Sequence, residues 1–126
     1  METWRLYALN PSEGIALEKF KNARRSTRLS RQIPIVITSL DPEHKFSGKY
    51  ETVVVNAHGC GIILPIRLAA NTPVSVELIS SGRSKTAKIV LVLSVIEGAS
   101  WLLGLEFDSP AGNFWEIENP PEDWRV

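Results

Sequence analysis

The stretch Tyr50-Glu-Thr-Val-Val-Val-Asn-Ala-His-Gly-Cys-Gly-Ile-Ile-Leu64 decides the fold. Its first six residues are rich in β-formers, and a second apolar run begins at Ile62. Between the two runs lies the polar turn Asn56–Gly61, and asparagine and glycine tolerate the backbone angles that tight turns require. The stretch therefore predicts two strands joined by a tight turn.

Four further segments on either side of this pair alternate apolar and polar residues, which is the period of a β-strand. They are residues 33–39, 73–79, 87–96 and 101–107. In the third of these segments, we expect the four apolar residues of one face to point inward: Ile89, Leu91, Leu93 and Val95. Short antiparallel strands joined by tight turns, with little helix among them, are typical of small barrels. We therefore predict an all-β fold, a small six-stranded antiparallel barrel.

The segments that flank the barrel carry weaker signals. Asn10, Pro11 and Glu13 fit the start of a short helix that would run to about Asn22. Residues 110–117 favour a helical turn, with two aromatic residues packed across the barrel mouth, and residues 118–123 are too rich in proline for regular structure. We thus divide the chain into a lead with a short helix (1–23), the barrel (24–117) and an acidic tail (118–126).

Four arginines stand within eight residues just before the first strand: Arg24, Arg25, Arg28 and Arg31. Guanidinium is planar, always charged and forked, so it matches both phosphate and the O6/N7 edge of guanine. The stretch has no apolar periodicity, and we expect a flexible loop when it is empty. It is a candidate anion site, and the alternative is a solvated basic linker.

Two spacings in this order resemble the motifs of the PilZ domain, a family that binds the bacterial second messenger cyclic di-GMP. The first is Arg24-x-x-x-Arg28, and the second is Asn56-x-His58-x-x-Gly61, which follows a strand later. The resemblance covers most of the chain, from about residue 24 to residue 115, and departs at His58, where the family has serine. It implies a PilZ-like barrel that acts as a cyclic di-GMP receptor.

The resemblance also implies a ligand site, whose candidate residues are Arg24, Arg25, Arg28, Asn56, His58 and Gly61. The family's motif arginines contact guanine edges and phosphates. An asparagine amide can bond a guanine or a ribose, although Asn56 and Gly61 could equally serve only to hold the turn. The imidazole of His58 either bonds phosphate or fills the pocket, so that nucleotide binding is either retained or blocked.

We therefore expect a binding module that relays cyclic di-GMP to a partner protein, with no catalytic role and no cofactor. The alternative is a degenerate PilZ-like module that interacts with proteins and binds no nucleotide. A third hypothesis is a nucleic-acid binder that uses the same arginines. Balanced charge, with 14 basic and 14 acidic residues, argues against nucleic acid and membrane partners.

The remaining composition bounds the chemistry and the compartment. The single cysteine, Cys60, forms no internal disulfide and suggests a reducing compartment, and two histidines predict no metal site. No signal peptide pattern or membrane-length apolar run is present, so we expect a cytoplasmic protein. Bases gather at residues 19–31 and acids at 116–123, which predicts that the acidic tail shields the arginine loop until ligand arrives.

Overall fold

The computed structural model describes residues 26–124 of the chain. These residues contain six strands: β1 Pro34–Ser39, β2 Ser47–Asn56, β3 Gly59–Leu64, β4 Pro73–Leu78, β5 Ser84–Ile96 and β6 Ser100–Phe107. The strands pair antiparallel in the order β1-β2-β3-β6-β5-β4, and β4 pairs with β1 to close a barrel. The predicted six-stranded antiparallel barrel is therefore confirmed. The helix predicted at residues 10–22 lies outside the described residues.

The alternation of β4 gives the strand one buried and one wetter face. Val74, Val76 and Leu78 are buried in the core, whereas Glu77 is exposed. Successive side chains of a strand point to opposite faces, so an apolar–polar period of two buries one face only. Pro34 is the first residue of β1, where a strand tolerates proline best.

A β-bulge changes the inward face of β5. Ile89 lies opposite Leu105 of β6, but the next paired residue is Leu91, opposite Gly104. The extra residue moves the side chains that follow it, as far as a second register shift between Ser94 and Ile96, to the other face of the sheet. Ile89 therefore packs in the main core, whereas a second cluster forms on the outer face from Leu91, Leu93 and Leu102, with Ile63 and Val95 against it. The prediction that the four residues of β5 share the inward face is wrong.

The end of the chain completes the core. Phe114 and Trp115 are buried, and their ring centroids lie 5.2 Å and 5.6 Å from that of Phe107. Residues 112–115 form a hydrogen-bonded turn, in which the Phe114 N–H donates to the carbonyl of Ala111 at 3.2 Å. A 3-10 helix at Glu122–Trp124 follows, although the prolines before it predicted no regular structure. It buries Trp124, so the predicted acidic tail contributes its last described residue to the core.

Candidate functional site

The arginine stretch lies along β2 from Ser26 onward. Leu29 and Val55 exchange two backbone hydrogen bonds of 2.9 Å, and the backbone N–H of Thr52 donates to the carbonyl of Ile33 at 3.1 Å. The Ser26 hydroxyl accepts a hydrogen bond of 3.2 Å from the backbone N–H of Ala57, inside the turn between β2 and β3. The described part of the stretch is thus bonded to the barrel, whereas the sequence predicted a free loop.

The register of this contact brings the two motifs together. Leu29 lies opposite Val55, so one step further along the two chains Arg28 lies opposite Asn56. Directly opposite residues share a face. Leu29 and Val55 belong to the core, so Arg28 and Asn56 stand on the outer face of the barrel. Arg28 is half-buried there, and Arg24 and Arg25 lie outside the described residues.

Asn56 holds the turn between β2 and β3. Its side-chain oxygen Oδ1 accepts a 2.8 Å hydrogen bond from the backbone N–H of His58, which is the local bond that asparagine makes in turns. Its carbonyl accepts a 2.8 Å bond from the indole Nε1 of Trp115. Asn56 is 6% exposed, and its amide nitrogen has no hydrogen-bond partner within residues 26–124. The turn role that the sequence left open is therefore present.

His58 and Gly59 place the turn against β6. The carbonyl of His58 accepts a 2.7 Å hydrogen bond from the backbone N–H of Phe107, and its side chain is half-buried. A Cβ at Gly59 would collide with the carbonyl oxygen of Leu105. From the sequence, Gly59 could be identified only as a turn residue. Its close approach to β6 results from a long-range strand pairing that the sequence does not reveal.

Gly61 lies on the outer face beside a second glycine. Its neighbours in β3, Cys60 and Ile62, point into the core, so Gly61 faces outward. Gly61 pairs with Gly104 of β6. Both glycines are buried, so this part of the outer sheet is not an open surface.

Glu106 lies on the same outer face, and the sequence analysis did not identify it as a site residue. It pairs with Gly59, so its half-buried carboxylate lies next to the motif turn. The alternation of β6 could have shown that Glu106 points outward, but only the register shows what it adjoins. Arg31 is exposed, and its guanidinium donates to the carbonyl of Ser30 at 3.1 Å.

Burial decides the chemistry of Cys60. Complete burial raises the pKa of the thiol to about 12, so the group is protonated at neutral pH. A nucleophilic cysteine reacts as the thiolate. Cys60 therefore fills the core as a small apolar residue. Within residues 26–124, no helix has the length and apolar character that a bilayer span requires.

No protein-family model and no curated protein matches the chain. Among solved structures, it is similar to the crystal structure of the PilZ domain of CeSA from a cellulose-synthesizing bacterium. The two are 20% identical, with a TM-score of 0.44, over 67% of this chain and 84% of that one.

Proposed function

We propose that this chain is a receptor domain for cyclic di-GMP that passes the signal to a partner protein. One observation carries the proposal: the arginine stretch is hydrogen-bonded along β2, so that Arg28 lies opposite Asn56 on the outer face. Residues 28 and 56 are far apart in the sequence, and they belong to the two motifs that resemble those of the PilZ domain.

The ligand chemistry fits the groups on this face. Cyclic di-GMP carries two phosphates and two guanines, and a guanidinium matches both phosphate and the O6/N7 edge of guanine. In the proposal, Arg28 acts with Arg24 and Arg25 of the same stretch, and the Asn56 amide donates to the ligand.

Glu106 and His58 would set specificity. The Watson–Crick edge of guanine carries N–H donors, and an ionised carboxylate only accepts hydrogen bonds. Glu106 is therefore suited to guanine and would repel a phosphate, which orients the base toward β6 and the phosphates toward the arginines. The imidazole of His58, at the tip of the turn, is within the same region and can donate to a phosphate oxygen.

Calorimetric titration with cyclic di-GMP tests the proposal. Arg28→Ala should weaken binding by about tenfold or more, because a hydrogen bond to a charged group contributes roughly 1.5–3 kcal/mol. Arg67→Ala is the matched control, because Arg67 is exposed and follows β3 at the end remote from the motif turn. A short oligonucleotide serves as the ligand control. Equal affinity of the parent and Arg28→Ala would place the site elsewhere.

The degenerate interaction module remains the second candidate, and one observation favours it. Asn56 is nearly buried and its Oδ1 is already used within the turn, so only part of the amide is left for a ligand. His58→Ser separates the two candidates. A serine variant that binds cyclic di-GMP when the parent does not would show that His58 blocks the pocket. Absence of binding in both proteins would favour the interaction module.

A further inference from the structure

Thr27 lies inside the arginine motif and is bonded to the far end of the chain. Its backbone N–H donates to the two carboxylate oxygens of Asp123 at 3.1 Å and 3.0 Å. Its hydroxyl donates to Asp123 at 2.7 Å. Its carbonyl accepts a 2.7 Å hydrogen bond from the indole Nε1 of Trp124. The backbone and side chain of one residue between Arg24 and Arg28 are therefore held by two consecutive residues of the tail.

The tail is itself fixed, so these bonds have a rigid base. Trp124 is 1% exposed and belongs to the main core. A Cβ at Gly112 would collide with the carbonyl oxygen of Trp124, which shows how closely the tail passes over that turn. Ala111, just before that turn, reaches the other motif, where its N–H donates to the carbonyl of Ala57 at 2.8 Å.

We propose that Asp123 and Trp124 form a C-terminal clamp, a pair of positioning residues that holds the arginine motif at Thr27 in its binding position. The clamp acts through the backbone and the hydroxyl of Thr27. The effect of the clamp on the affinity for cyclic di-GMP rests on the proposed function. Its effect on the order of the arginine motif does not.

The clamp predicts the opposite result from an electrostatic shield. A shield competes with the ligand for the arginines, so its removal tightens binding. A positioning contact raises the fraction of protein in the competent conformation, so its removal weakens the apparent affinity by that fraction. In the described residues Asp123 bonds the threonine, and the hydrogen bonds from Thr27 lower the pKa of its carboxyl. This bonding pattern favours the positioning contact.

Amide hydrogen exchange in the ligand-free protein gives the first test. Asp123→Ala should speed exchange at Thr27 by roughly tenfold or more, and it should also speed exchange at Leu29 and Val55, which bond each other. Amides of β5 and β6 should be unchanged. Glu122→Ala is the matched control, since it removes the same charge from the same 3-10 helix. Unchanged exchange at Leu29 and Val55 would overturn the clamp.

Titration with cyclic di-GMP gives the second test. Asp123→Ala should weaken binding roughly threefold to tenfold, and Glu122→Ala should not. Thr27→Val should weaken binding and Thr27→Ser should restore it, because serine returns the hydroxyl that donates to Asp123. Faster exchange at Thr27 with unchanged or tighter binding would overturn the positioning role.

The two failures are distinguishable. If the parent protein binds no cyclic di-GMP, the proposed receptor function fails, and hydrogen exchange alone decides whether the clamp holds the motif. Asp123 is exposed, so its substitution should leave the barrel folded, and Thr27→Val provides a second way to break the clamp if it does not.

Discussion

The aromatic end of the core and the outer face of the motif turn differ in what holds them. Phe107, Phe114 and Trp124 are buried and pack ring against ring or against the core. The outer face instead joins Arg28 and Asn56 through strand register, and two adjacent glycines lie beside them. Apolar burial therefore carries the stability of the first region, while strand pairing and hydrogen bonds arrange the polar groups of the second.

Two indole hydrogen bonds link these regions. Trp115 donates to the carbonyl of Asn56, and Trp124 donates to the carbonyl of Thr27. Each indole buries its ring and presents its N–H to a backbone oxygen at the edge of the candidate site, as buried tryptophans usually do. The comparison teaches that the site is built on the core through the backbone, so core and site can be perturbed separately.

The largest effect is expected from Trp124→Ala. Removing a buried aromatic side chain leaves a cavity and costs about 3–5 kcal/mol of unfolding free energy. Trp124→Phe keeps an aromatic ring but removes the N–H together with part of the buried indole, so it should cost less than Trp124→Ala while freeing the Thr27 carbonyl. Urea unfolding of the two variants checks this order. Equal losses would mean that the hydrogen bond, and not the packing, stabilises the tail.

Gly59→Ala should have the next largest effect and tests the approach of the turn to β6. A Cβ there meets the carbonyl oxygen of Leu105, and overpacking of this kind costs about 1–3 kcal/mol. Gly48→Ala is the comparison, since the Cβ at that position meets only the movable ring of Tyr50. Thermal unfolding should show a greater loss for Gly59→Ala. The opposite order would show that the turn shifts freely.

Parts of this architecture could be predicted from sequence and others could not. The burial of Val74, Val76 and Leu78 could be predicted from the sequence, because apolar residues at every second position lie on one face of a strand. The β5 bulge was unpredictable, since apolar residues such as Leu91 occupy both faces of that strand and the period gives no sign of the switch. The local pattern of apolar and polar residues predicts where the strands are. The pairing register between strands decides which residues lie next to each other.

The candidate site shows the same limit. The motif spacing singled out Arg28 and Asn56, and the register brings them to one face. The motif spacing gave no reason to choose Thr27 or Glu106. Thr27 bonds Asp123 of the tail, and Glu106 lies opposite Gly59, so both contacts are long-range. The opposite charges of the two ends suggested a contact between them. The described contact is made of hydrogen bonds to a threonine, which a count of charges does not foresee.

Trp115→Phe tests the link to Asn56. The change removes one indole N–H and also part of a buried ring, so the unfolding free energy should fall by about 0.5–1.5 kcal/mol for the hydrogen bond, and further because the smaller ring leaves unfilled space. Exchange at the His58 amide should rise, because that amide bonds the side chain of Asn56. Unchanged exchange there would show that the turn holds Asn56 without help from the core.

The smallest effect is expected when the pH is lowered and the Asp123 carboxylate of the clamp becomes protonated. Hydrogen bonds from the hydroxyl and the backbone N–H of Thr27 lower the pKa of Asp123, which is exposed. A lowered pKa in the folded state means that the contribution of the carboxylate is complete above about pH 4, the ordinary range of aspartate, and is lost as the pH falls through the lowered value. The pKa of Asp41 is also lowered, chiefly by the backbone N–H of Glu43 and then by His44, so acid unfolding of the whole protein does not report Asp123 alone. The chemical shift of the Thr27 amide reports Asp123 alone. It should titrate below about pH 4 in the parent and in Asp41→Asn, and should lose that step in Asp123→Asn. A titration step that persists in Asp123→Asn would belong to another carboxyl and would show that the Asp123 carboxylate does not hold Thr27.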